Sequence, residues 1–170
     1  MTTETAAPPP TTPDDLARAL AGLGIAVATH SHPPLKTVED SKALRGDLPG
    51  GHCKNLFLKD KKGQLWLVVT LEDRPVDMKA LKDRIGSAHL SFGKPDLLWR
   101  TLGVQPGAVT PFALINDRSA TVNVVLDAEM MARDPLNYHP LDNTQTWAIA
   151  PGDLLAFIRW CGHTPAQVTL

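Results

Sequence analysis

Apolar and polar positions fall into two β-like runs at residues 50–69. Gly50-Gly51 leads into His52-Cys53-Lys54-Asn55-Leu56-Phe57-Leu58-Lys59-Asp60. After Lys61-Lys62-Gly63-Gln64, Leu65-Trp66-Leu67-Val68-Val69 runs back. Two such runs around a short Gly-containing loop predict a hairpin. Side chains alternate along a strand, so Lys54 shares a face with Leu56 and Leu58, while Cys53, Asn55 and Phe57 share the other. A lysine at the mouth of an apolar strand either lays its stem along the surface or is a charge held in a pocket.

The remaining pattern alternates helical and extended stretches. Met1 to Thr12, rich in Thr, Pro and Ala, reads as a disordered leader, with the folded domain over 13–170. Thr12-Pro13-Asp14-Asp15 carries the signature of a helix start, and Leu16, Leu20 and Leu23 give that helix an apolar stripe. Ile25 to His30 predicts a short strand. Thr37-Val38-Glu39-Asp40 opens a second helix, to about Arg45. Further helices are expected over Val76–Ile85, from Lys94-Pro95-Asp96 to Gly103, over Asp127–Arg133, and from Pro151-Gly152-Asp153 to Gly162. Strands are expected at Ala88–Phe92, Phe112–Ile115 and Thr121–Leu126. Asn143 to Ala150 leads into the last strand. The pattern describes an α/β (α+β) single domain, a mixed and largely antiparallel sheet flanked by helices.

Composition narrows the function classes. A chain of 170 residues with 43% hydrophobic and 21% charged residues fits one soluble domain with a sizeable core. The net charge of −1 provides no global cationic field, so nucleic acid would be met by a local patch. No apolar run reaches the about 20 residues of a membrane span, and two distant cysteines, Cys53 and Cys161, suggest a reducing compartment. The expected location is the cytoplasm, with no membrane partner.

Candidate chemistry is sparse. His30, His32, His52, Cys53, Cys161 and His163 occur only as isolated pairs, without the spacing of a zinc site, so neither a metal nor another cofactor is expected. Cys53 follows His52, but strand neighbours point to opposite faces and cannot form a nucleophile–base dyad. Cys161 and His163 look structural. The loop Gly107-Ala108-Val109-Thr110-Pro111 can present backbone N–H and C=O groups to a ligand, or simply join two elements. His139, between Tyr138 and Pro140 with Asn143 and Thr144 just after, is either turn chemistry or a polar pocket wall.

Three stretches together resemble a known family. Lys54 to Asp60 with Leu65 to Val69, the Gly107-to-Pro111 loop as a G-x-x-x-P motif, and Asn137-Tyr138-His139-Pro140-Leu141-Asp142-Asn143-Thr144 resemble the YbaK / prolyl-tRNA-synthetase-associated editing domain family. Thr146 to Ala150 and the Pro151-Gly152-Asp153-Leu154 helix start also fit. The resemblance covers roughly residues 14–165 and is strongest to free-standing proteins that hydrolyse alanine mischarged onto proline tRNA. It implies deacylation without a metal, with the terminal adenosine hydroxyl helping to activate water.

On that resemblance Lys54, Gly107 and His139 are the expected catalytic residues. Asn55, Ala108, Val109, Thr110, Pro111 and Asn143 are expected to hold substrate. The partner implied is the acceptor end of proline tRNA carrying a wrong amino acid, with a transient contact to prolyl-tRNA synthetase. Lys36, Lys42, Arg45 and Lys59 are the expected tRNA contacts, since basic residues cluster around Lys54 in the chain. Hydrolysis of Cys-, Ser- or 2-aminobutyryl-tRNA, and a non-catalytic aminoacyl-tRNA-binding module, remain as alternatives.

Overall fold

A computed structural model describes residues 11–34, 43 and 48–170. The second helix expected near Thr37–Arg45 lies outside them. Among the described residues the strands are β1 Ala28–Ser31, β2 Gly51–Asp60, β3 Leu65–Leu71, β4 Leu90–Phe92, β5 Val122–Asp127, β6 Leu136–Tyr138, β7 Gln145–Ile149 and β8 Ala166–Val168. The α-helices are α1 Pro13–Gly22, α2 Met78–Ile85, α3 Pro95–Leu102 and α4 Pro151–Trp160. Ordered structure includes Thr11, whose hydroxyl donates to Asn116 Oδ1 at 2.6 Å, and Thr12, which caps α1.

One mixed sheet runs β1-β7-β6-β2-β3-β5-β8, with β4 also paired to β2. The pairs β1–β7, β2–β3, β2–β4 and β6–β7 are antiparallel. The pairs β2–β6, β3–β5 and β5–β8 are parallel. The predicted hairpin stands: Cys53 lies opposite Leu71 and Lys59 opposite Leu65. Gly50 is required where the chain enters β2. Its φ is +97°, and a Cβ there would lie 2.3 Å from the Pro135 carbonyl oxygen. The neighbouring N–H of Gly51 donates to that same carbonyl at 2.8 Å.

Strand parity divides the interior. Phe57, Leu67, Val69, Val124 and Leu126 face a core closed by Leu16 and Leu20 of α1, Leu98 and Leu102 of α3, and Phe157 of α4. Leu58, Val68 and Val125 face a smaller core with Leu81 of α2 and Leu90. At the centre of the larger core Phe112 meets Tyr138, Trp147 and Phe157 edge-on, with ring centroids 5.7–6.1 Å apart.

Three expectations are corrected. Phe112–Ile115 is not a strand; Pro111–Asn116 forms a 3-10 helix capped by Thr110, whose Oγ1 accepts from the Phe112 N–H at 3.3 Å. Pro111 presets the first turn, and residues 111–114 are all buried, so the run carried no alternation to separate helix from strand. The helix expected over Asp127–Arg133 shrinks to a 3-10 turn at Met130–Ala132. Asp127 instead ends β5, where its buried carboxylate accepts from the Thr70 hydroxyl at 2.7 Å and pairs with Arg74 at 3.0 Å. Finally, β7 is not the last strand, because residues beyond α4 add β8 in parallel to β5.

Candidate functional site

The pairing of β2 contains a break. On the edge away from β3, β6 covers only Gly51 and His52, and β4 covers only Leu58 to Asp60. Among the described residues, 53–57 have no strand partner on that edge. The ends of β6 and β4 flank the break, and the next residues in the chain are His139 and Gly93. Gly93 donates its N–H to the Phe57 carbonyl at 2.9 Å, closing one side. A Cβ at Gly93 would lie 2.4 Å from the Phe57 ring, so glycine is what lets the chain pass there.

A cavity of about 370 Å³ opens beside this break. Its walls are Asn55 and Phe57 of β2, Phe92 of β4 and the following Gly93, Leu98 of α3, Pro106, Gly107 and Val109, and His139. Four residues singled out in the sequence, Asn55, Gly107, Val109 and His139, therefore converge. A further cavity of about 540 Å³ beside Arg74 and Glu129 contains none of them.

Each wall is held for a local reason. Asn55 lies on the same strand face as Cys53 and Phe57, and its Oδ1 is buried without a hydrogen-bond partner. A buried acceptor left unmet by the protein is a place for a ligand donor. His139 donates Nδ1–H to the Gln145 carbonyl at 2.9 Å, which fixes the tautomer and leaves Nε2 with its lone pair. Burial pushes the His139 pKa below its ordinary 6.5; the Gln145 bond opposes this, and the neighbouring His32 reinforces it. The two imidazoles stand edge-to-face at 6.1 Å. His32 is itself held by the Pro33 carbonyl at 2.8 Å and the Thr146 hydroxyl at 2.9 Å.

The Gly107-to-Pro111 loop divides its residues. Gly107 and Val109 line the cavity, whereas Ala108, Thr110 and Pro111 are buried, Thr110 as the cap of the following 3-10 helix. These three shape the loop from behind and do not line the cavity. Asn143 packs behind Gly107: a Cβ on the glycine would meet its Nδ2 at 3.4 Å. The turn before Asn143 places Leu141 at φ +72°, and Asp142 accepts from the Thr144 N–H and hydroxyl, both at 2.7 Å.

Lys54 does not line this cavity. It lies opposite Thr70, half-buried, on the face that carries Leu56 and Leu58. Among the described residues its ammonium has no ion pair. Lys59 is exposed near the end of β2, and Lys36, Lys42 and Arg45 lie outside the described residues.

His163 and His52 are held by internal hydrogen bonds, and both cysteines are partly buried thiols. His163, buried, donates Nε2–H to Asp117 Oδ2 at 2.8 Å. His52 bonds the Leu48 carbonyl at 2.9 Å. Burial pushes the Cys53 and Cys161 thiols up to about 12, so neither is a thiolate near neutral pH. Among the described residues no three His, Cys, Asp or Glu side chains gather as metal ligands, and no helix is long and apolar enough to cross a membrane.

Sequence reasoning missed Phe92, Gly93, Leu98 and Pro106 as cavity walls, and His32 as the neighbour of His139. Only Gly93-Lys94-Pro95, a chain break between strand and helix, hinted at a surface there.

The sequence profile of the aminoacyl-tRNA editing domain matches residues 32–157. The chain belongs to this family. Editing of an aminoacyl-tRNA is hydrolysis of its ester bond, which places the chain among the aminoacyl-tRNA deacylases. It is 39% identical over 140 residues to the prolyl-tRNA editing protein ProX of Acetoanaerobium sticklandii, covering 82% of this chain and 85% of that one. It is 38% identical over 153 residues to prolyl-tRNA synthetase associated domain-containing protein 1 of Danio rerio, covering 89% and 83%. A crystal structure of a candidate trans-editing enzyme for prolyl tRNA synthetase superposes with a TM-score of 0.70 at 17% identity, over 98% of this chain and 99% of that one. That likeness bears on the fold alone.

Proposed function

We propose that the protein is a trans-editing deacylase that clears mischarged proline tRNA, and that its substrate is the alanyl ester. The observation that carries the proposal is the convergence of Asn55, Gly107, Val109 and His139 on one cavity at the break beside β2. Family membership supplies the reaction, and the names of the relatives point to proline tRNA.

In this reading the aminoacyl group enters the cavity. Its α-ammonium donates to Asn55 Oδ1, the unmet buried acceptor. Backbone groups around Gly107 hold the ester end and the attacking water. His139, neutral and fixed by Gln145, uses Nε2 as an acceptor to orient water and substrate. Asn143 supports Gly107 from behind. Water adds to the ester carbonyl carbon and the bond to the ribose oxygen breaks. The proton lost by water ends on that oxygen, relayed by the neighbouring ribose hydroxyl.

Lys54 fits the phosphate better than the carbonyl. Its side chain leaves the strand on the face away from the cavity, but the unpaired edge of 53–57 is open between the two faces. A nucleotide lying across that edge puts its ester on one side and its phosphate on the other. An ammonium there acts as a point charge.

An editing site of this kind answers a known limit. A proline site cannot exclude the smaller alanine by binding alone, since a missing methylene is worth only about 1–3 kcal/mol. The test is release of amino acid from proline tRNA charged separately with alanine, cysteine, serine and proline. Rapid release of alanine with proline spared supports the reading. Preference for cysteine or serine moves the substrate assignment, and release of none supports a binding module.

A further inference from the structure

A second depression, of about 720 Å³, adjoins the cavity. Both include Phe92 and Gly93, so they form one continuous surface from the sheet break, along β4, to the first turns of α3. The second depression carries Lys59, Lys61, Lys94 and Arg100, all exposed. None of the four forms an ion pair with a described residue.

The two carboxylates in the groove do not cancel these charges. Asp60 is buried and turned inward, accepting from the N–H groups of Lys62 at 2.9 Å, Gln64 at 3.0 Å and Ala88 at 3.2 Å, and from the Trp66 indole at 3.2 Å. Four internal donors occupy its oxygens. Asp96 sits in the first turn of α3, one carboxylate against four cations. In a chain of net charge −1, this is a local concentration of positive charge.

Phe92 stands where groove and cavity join. At 64% exposure it is the most exposed large apolar side chain among the described residues. An aromatic face at the end of a cationic lane is how proteins hold single-stranded nucleic acid: a base stacks on the ring and phosphates follow the charges. An acidic protein segment would match the cations but gives no reason for a bare ring at the mouth of an aminoacyl cavity.

We propose that this groove binds the single-stranded 3′ end of the RNA whose terminal ester enters the cavity. One base stacks on Phe92, and phosphates lie against Lys59, Lys61, Lys94 and Arg100. The inference rests on the aminoacyl-tRNA reading of the cavity and extends the contacts expected from the sequence, of which Lys59 is in this groove while Lys36, Lys42 and Arg45 lie outside the described residues.

The test uses labelled, uncharged proline tRNA in fluorescence anisotropy across a salt series, which needs no hydrolysis. Lys94→Ala/Arg100→Ala should raise Kd about tenfold or more at low salt. It should flatten the slope of log affinity against log salt by about 1.4, at about 0.7 per lost single-strand phosphate contact. Phe92→Leu keeps apolar bulk but loses the flat ring; it should weaken binding about tenfold and leave the slope unchanged, the size of one lost stack. Hydrolysis of 3′-alanyl-adenosine, which has no upstream nucleotides, should be as fast in Lys94→Ala/Arg100→Ala as in the unmodified protein.

Unchanged RNA affinity and slope in the double variant overturn the groove assignment. So does an intact RNA affinity with lost binding to prolyl-tRNA synthetase, which would make the groove a protein surface. If RNA binding falls as expected while no charged tRNA is deacylated, the groove stands and the deacylase reading fails. If deacylation is normal and RNA binding is unmoved, the reverse holds.

Discussion

The imidazole of His139 donates its Nδ1–H to the backbone carbonyl of Gln145 at 2.9 Å, across the turn between β6 and β7. That bond sets which nitrogen is free, and burial keeps the ring neutral, its pKa held below 6.5. If neutral His139 orients water, activity should stay flat as pH falls through 6.5 and drop only below it. The sign for stability is the same. The unfolded ring ionises near 6.5, so just below that value the unfolded state binds more protons and stability declines with acid. The pH–rate profile of kcat checks this; an acid limb centred above 6.5 contradicts it. His139→Gln should remove that limb along with most of the activity.

Lys54 carries the phosphate in this account. Lys54→Ala should abolish deacylation while leaving the melting temperature within a few degrees, because the side chain is only half-buried and makes no ion pair with a described residue. Lys54→Arg should also be poor, since a planar fork does not replace a compact ammonium. Steady-state kinetics and a thermal melt on both variants test it, and wild-type turnover in either ends the assignment.

Gly50 bears on stability. Its φ of +97° and the Pro135 oxygen 2.3 Å from any Cβ leave no room for alanine. Gly50→Ala should cost more than about 2 kcal/mol, the combined size of a left-handed penalty and a backbone shift. Urea denaturation measures it. Gly22→Ala is the control, since nothing lies within 4 Å of its Cβ position.

Thiol chemistry should be irrelevant. Cys53 lies on the same strand face as Asn55, yet burial pushes its thiol up to about 12 against the opposing hydrogen bonds of Tyr138 and the Asn137 backbone, and its Sγ lies 3.7 Å from the Gly51 carbonyl. Iodoacetamide at neutral pH should leave activity intact, as should EDTA, because no described ligand cluster exists for a chelator to empty. Rapid inactivation by either reagent contradicts this assignment.

The hairpin, the glycine stop of α3 and the helix start at Pro151 were legible because each rests on local chemistry: period-two alternation, a left-handed glycine, proline at the first helical turn. The 3-10 helix at Pro111–Asn116 was not, because its first four residues are all buried and offer no face to alternate. β8 was missed because three residues pair only through the already formed β5. In the site, motif residues Asn55, Gly107 and His139 were legible, but the walls Phe92 and Leu98 come from β4 and α3, and no local signal ties those elements to β2. Strand parity already put Lys54 opposite Asn55 in the sequence; the tertiary break beside β2 explains how one substrate could reach both.

The most direct measurement of the central claim is single-turnover release of alanine from alanylated proline tRNA by the unmodified protein and by Gly107→Val. Gly107 lines the cavity and has no left-handed φ, and a Cβ there would make only an ordinary contact with Asn143 Nδ2 at 3.4 Å, so the backbone accepts valine while the branched side chain adds bulk at the cavity wall. The unmodified protein should release alanine far faster than spontaneous hydrolysis. The variant should fall to the spontaneous rate with its melting temperature and its affinity for uncharged tRNA retained. Release by Gly107→Val as fast as by the unmodified protein would place the chemistry elsewhere on the molecule.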